Sequence, residues 1–76
     1  MITKIERALT PMERRVLARV LSGERNKTIA RRFGLSDKTV KNHISHILTK
    51  TGCQTRLELT VNVYKARIRA LKRAAA

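Results

Sequence analysis

NKTIARRFGLSDKTVKNHISHIL, residues 26–48, decides the fold. Ile29, Ala30 and Phe33 recur at helical spacing and share a face, while Lys27, Arg31 and Arg32 fall mostly off it, which predicts a short helix of roughly two turns. Gly34 stops that helix, Leu35 turns an apolar side chain inward, and Ser36 caps the next helix almost at once. Helices joined by so tight a turn cross at a steep angle. Beyond Ser36, the apolar residues Val40, Ile44, Ile47 and Leu48 occupy about a third of the helical circumference. Lys38, Asn42, Ser45 and Thr49 project to the opposite side, flanked by Lys41 and His46. A helix surrounded by core would not carry so many polar side chains, so this face is expected to meet something outside the protein.

Working outward, Thr10-Pro11-Met12-Glu13 reads as a capping box with proline at the first helical position. Val16, Leu17, Val20 and Leu21 then give the helix its buried face, and Gly23 ends it. Asn26 is the expected cap of the following helix. Gly52 closes the third helix, with Cys53 placed for the apolar contact that follows such a stop. Thr55-Arg56-Leu57-Glu58 is a second capping box, opening a fourth helix that meets no Gly or Pro before about Arg73. That helix carries two apolar stripes on nearly opposite sides. One is Leu57, Val61, Tyr64, Ile68 and Leu71; the other is Leu59, Val63, Ala66 and Ala70. A small core cannot bury both. We assign the second to a homodimer contact, leaving the first to cover the core. The expected architecture is all-α: a flexible segment 1–8, a four-helix domain over 9–73 and a frayed tail 74–76.

Composition narrows the function. In 76 residues, 18 Lys+Arg against 5 Asp+Glu give a formal charge of +13, far more than solubility needs, and a polyanionic partner would relieve the self-repulsion. Nucleic acid and an anionic membrane surface both fit that requirement. No apolar run approaches the roughly 18 residues of a membrane-spanning helix, and MITKIERAL lacks a secretory signal, so the expected location is cytoplasmic. His43 and His46 are three apart rather than four, and with Cys53 they leave a zinc site short of a ligand. Cys53 has no evident base beside it. No metal, cofactor or enzymatic activity is expected. One Phe, one Tyr and no Trp also argue against a stacking surface for single-stranded RNA.

LTPMERRVL, SGERNKTIARRFGLSDKTVKNHISHIL and TGCQTRLEL together resemble the DNA-binding domain of the LuxR/GerE-type bacterial transcription regulators, over about residues 9–63. The resemblance implies a helix-turn-helix with its turn at Gly34-Leu35-Ser36, a third helix that enters the major groove of double-stranded DNA, and a dimer contact through the fourth helix. Lys41, Asn42 and Ser45 match the base-reading positions; Lys38, Thr39, His46 and Lys50 match phosphate-contacting ones. Lys27, Arg31 and Arg32, with the amides at the starts of the second and third helices, extend the expected phosphate set. Thr28 departs from the family's usual acidic residue. Only about nine residues precede the resemblance, so the chain is similar to single-domain members that lack a sensory domain. A promoter-recognition module like region 4 of a sigma factor, working with RNA polymerase, is an alternative. Another is an interaction protein that pairs with and inhibits a full-length regulator.

Overall fold

The computed structural model describes residues 3–75. They form five helices: α1 (Lys4–Arg7), α2 (Pro11–Leu21), α3 (Asn26–Phe33), α4 (Asp37–Thr51) and α5 (Arg56–Ala75), with no strand among the described residues. The four helices expected from the sequence are α2 to α5. α1 is additional and corrects the flexible segment. Thr3 accepts from the Glu6 amide and the Glu6 carboxylate accepts from the Thr3 amide at 2.9 Å, a closed capping box. Arg67 of α5 then binds the same carboxylate at 2.6 Å, and Arg14 of α2 donates to the Glu6 carbonyl. Leu9 is buried behind this turn. Met1 and Ile2, and Ala76 of the tail, lie outside the described residues, whereas Ala74 and Ala75 belong to α5.

The Thr10–Glu13 box closes as expected, with bonds of 2.8 and 3.1 Å. Val16, Leu17 and Val20 of α2, Ile29 and Ala30 of α3, and Val40, Ile44 and Ile47 of α4 form one core with Leu9, Cys53, Leu59 and Val63. α4 packs most extensively on α2 and α3, and α5 closes the core from the other side. After Val63 no residue of α5 is fully buried, so the helix of 20 residues, about 30 Å long, runs on past the core.

The α3–α4 turn follows the sequence closely. Gly34 adopts φ +66°, and the Leu35 amide bonds back to the Ala30 carbonyl at 2.8 Å. A Cβ on Gly34 would touch nothing within 4 Å, so it is the left-handed backbone that calls for glycine. Gly52 repeats the device, with Cys53 bonded back to Leu48 and buried.

Two corrections concern side chains. Asn26 does not cap α3: Arg25 holds that position without a side-chain bond, and Asn26 lies in the first turn, where its Oδ1 accepts from Arg56. Arg56 also donates to the Glu24 carbonyl, tying the start of α5 to the start of α3. At the second expected capping box, Thr55 accepts from the Glu58 amide, but the Glu58 carboxylate reaches the Gln54 amide at 3.3 Å instead of closing the box on Thr55.

Glu13 is buried, and Lys50 at the end of α4 reaches its carboxylate at 2.7 Å. Burial pushes both Glu6 and Glu13 up. For Glu6 the Arg67 bond and the Thr3 donors outweigh it; for Glu13 the Lys50 bond and the Thr10 donors do, so both carboxyls settle below the ordinary value of 4.5. A carboxyl held low in the folded state stabilises above its unfolded pKa and loses that contribution as pH falls through the folded value. The urea midpoint is therefore expected to decline as pH drops below about 4.5, and Lys50→Ala to make that decline shallower. An unchanged acid limb in the variant would show that Lys50 does not hold the Glu13 carboxylate.

Candidate nucleic-acid interface

α4 is positioned by its neighbours on one side only. Val40, Ile44 and Ile47 anchor it in the core, and the turn after Gly34 fixes its first residues against α3. Ser36 accepts from the Thr39 amide at 3.0 Å, and the two hydroxyls lie 2.8 Å apart, so the helix start is pinned before its outward side chains begin.

Lys38, Lys41, Asn42, Ser45 and His46 are all exposed, on the side of α4 away from the core. Among the described residues no hydrogen bond or ion pair engages the Lys41, Asn42 or Ser45 side chains, so their donors and acceptors face solvent unspent. Lysine offers donors, asparagine one donor group and one acceptor, and serine both roles on one oxygen. Spaced at 41, 42 and 45 they share little more than one turn, a compact array for matching a polar surface. Thr39 is half-buried and its hydroxyl already pairs with Ser36.

The surrounding cations divide into two groups. Lys27 and Arg31 on α3, like Lys38, are exposed and belong to no ion pair among the described residues. Arg32 and Lys50 are committed to internal carboxylates: Arg32 binds Glu24, which Arg19 also approaches at 3.7 Å, and Lys50 binds Glu13. Their charge is partly neutralised within the fold. Because Asn26 is engaged by Arg56 and no side chain caps α3, the first amides of α3 stay open beside Lys27. Arg56 and Glu24 were not singled out from the sequence; a bond across 32 residues leaves no periodic trace.

The dimer assignment is corrected. Leu59 and Val63 have no exposed surface and sit in the core, while Ala66 and Ala70 are half-buried beside α1. The outward stripe is the other one: Leu57, Val61, Tyr64, Ile68 and Leu71 are between 41% and 73% exposed. Leu59 and Val63 fall where α5 packs on α2 and α4, and Ala66 and Ala70 fall on the side toward α1, so this side of the helix turns inward. His43, His46 and Cys53 do not assemble; among the described residues no cluster suits a metal ion. No described helix is long and apolar enough to cross a membrane.

Comparison with known proteins follows the same outline. The nitrate/nitrite response regulator protein NarL of Escherichia coli K12 is 43% identical over 60 residues, covering 79% of this chain and 28% of its own length. The DNA-binding transcriptional activator DevR/DosR of Mycobacterium tuberculosis is 43% identical over 53 residues, 70% of this chain and 24% of its own. The monoamine regulon transcriptional regulator of Klebsiella aerogenes is 43% identical over 51 residues, 67% and 22% respectively. The chain thus spans about a quarter of the length of these curated relatives. Residues 7–63, most of the chain and all of α2, α3 and α4, match the family described as bacterial regulatory proteins, luxR family, and the all-helical fold with its α3–α4 turn agrees; the chain belongs to that family.

Proposed function

We propose that this chain binds double-stranded DNA sequence-specifically as a homodimer and thereby regulates transcription, with α4 lying in the major groove. One observation carries the reading: the uncommitted polar face of α4, held outward by a helix-turn-helix within a strongly cationic domain. A major groove about 12 Å wide admits one helix and displays a distinct donor and acceptor pattern for each base pair. Lys41 suits guanine O6 and N7, Asn42 suits the two-point edge of adenine, and Ser45 serves either role. Lys27, Arg31 and Lys38 are the freest cations for phosphates, and the open amides of α3 add to them; Thr39, His46, Arg32 and Lys50 complete the set at the edges.

Two or three base contacts from one helix specify only a short half-site, so useful discrimination needs two copies. The outward stripe of α5 supplies a face for this. Leu57, Val61, Tyr64, Ile68 and Leu71 are spaced alternately by four and three, the heptad seam of a two-stranded coiled coil, with β-branched Val61 and Ile68 in one register and Leu57 and Leu71 in the other. Lys65 and Lys72 flank the seam and repel across it, so bound DNA should favour pairing by neutralising charge.

Selection of bound sites from random duplexes tests the whole reading. The expected product is an approximate palindrome with half-sites about 10 bp apart, or a multiple of that. Equal binding of selected and random duplexes at physiological salt would overturn it. Within a selected site, Asn42→Ala should remove about 1–3 kcal/mol of preference at one or two base pairs and leave affinity for random duplex unchanged. Competition with single-base variants measures this, and uniform weakening across all sequences would move Asn42 out of the base-reading set.

A further inference from the structure

We propose that the cleft between α1 and the C-terminal half of α5 docks an acidic peptide segment of a partner protein, one with apolar side chains among its carboxylates. The cleft is open, with a volume of about 790 Å³, and no residue of α3 or α4 lines it. Four exposed cations stand at its rim, Lys4 and Arg7 from α1 and Arg69 and Arg73 from α5. None of the lining residues is acidic, and among the described residues none of these four cations is in an ion pair. The nearest acid in sequence, Glu6, is taken up by Arg67 and Thr3. Four like charges around one cleft repel one another, and an anion seated among them relieves that repulsion.

The floor selects the kind of anion. Half-buried Ile5, Ala66 and Ala70 form it, and the two alanines let a chain approach the backbone of α5 closely. A duplex backbone presents phosphates and sugars and has no apolar side chain to insert against such a floor. A peptide alternating carboxylates with leucine-like side chains fills both requirements, and three of the four cations are arginines, whose planar forks match carboxylates in two-point bonds. A second copy of this chain is a poor occupant. Of its five acidic residues, Glu6, Glu13 and Glu24 already hold cations of their own.

Fluorescence anisotropy on the full chain tests this with three labelled probes: a Glu-Leu alternating peptide, a Glu-Ser peptide of equal charge, and a random-sequence duplex. Two variants accompany the parent, the double variant Arg69→Gln with Arg73→Gln, and Ala70→Phe, which fills the floor without changing charge; circular dichroism checks that both stay folded. The Glu-Leu peptide should bind at least about tenfold more tightly than the Glu-Ser peptide, and each variant should weaken it by about tenfold or more. Ala70→Phe should leave duplex affinity unchanged, and the arginine variant should weaken the duplex far less than the peptide. Equal binding of the two peptides, or no loss with Ala70→Phe, would overturn the proposal. If the arginine variant weakened duplex as much as peptide, the cleft would be a phosphate-backbone contact instead. Because the readout is peptide binding, its failure leaves the reading of α4 untouched.

Discussion

Val63→Asp is expected to abolish the folded state: far-UV circular dichroism at 25 °C should show a chain without a cooperative thermal transition. Val63 has no exposed surface and sits in the single core cluster to which α2, α3, α4 and α5 all contribute. Removing the valine from that site forfeits about 1.5–3 kcal/mol of apolar burial. The aspartate that replaces it has no cation within the core to pair with, so it must be buried charged or take up a proton. Protonating a carboxyl with a pKa of about 3.9 at pH 7 costs about 4 kcal/mol. The combined loss, about 6 kcal/mol, is comparable with the whole stability of a domain this size, about 4–11 kcal/mol. A variant that stayed helical and merely changed its oligomeric state would return Leu59 and Val63 to a partner-facing role.

That substitution also marks where sequence patterning loses its power. Periodicity shows that α5 has two apolar sides, but it is symmetric between them. Which side turns inward depends on where α1, α2 and α4 pack against it, and those helices lie far earlier in the sequence. By contrast, the α3–α4 turn was legible because every signal there is local: Gly34 for the left-handed stop, Leu35 for the inward contact, Ser36 for the cap. The exposure of Lys41, Asn42 and Ser45 followed equally directly, since Val40, Ile44 and Ile47 leave them no other side of α4.

The remaining differences share a cause with α5. α1 leaves little trace in the sequence although Thr3 and Glu6 repeat the spacing of Thr10 and Glu13, because a helix of four residues is too short to show an apolar period. Asn26 looked like a cap because asparagine so often is one. Arg56, 30 residues away, competes for the same oxygen and wins it. Lys50 and Arg32 looked as free as Lys27 and Arg31 until the fold brought Glu13 and Glu24 to them. Charge counted along a chain overstates the charge available at a surface when the few acids are placed this selectively.

Ile68→Asp, five residues beyond Val63, is expected to do the opposite of the first substitution. Ile68 is 52% exposed, so the fold should keep its helical signal and its thermal midpoint. The new carboxylate lies three and four residues from Lys65 and Lys72, where it eases local repulsion within one copy. Between two copies it would have to be stripped of water in the middle of an apolar seam, which disfavours pairing. The consequence for DNA follows from the linkage of two half-site contacts. When two recognition helices are joined, the second binds at the effective concentration set by the first, and losing that linkage lowers affinity by about 10²–10⁴-fold. Binding to a duplex with two half-sites should fall by that factor, whereas binding to a single half-site should be unchanged. Sedimentation equilibrium with and without the duplex, beside a titration of each DNA, measures both effects. If Ile68→Asp left two-site affinity intact, α5 would not join the copies, and the heptad spacing of Leu57, Val61, Tyr64, Ile68 and Leu71 would need another occupant.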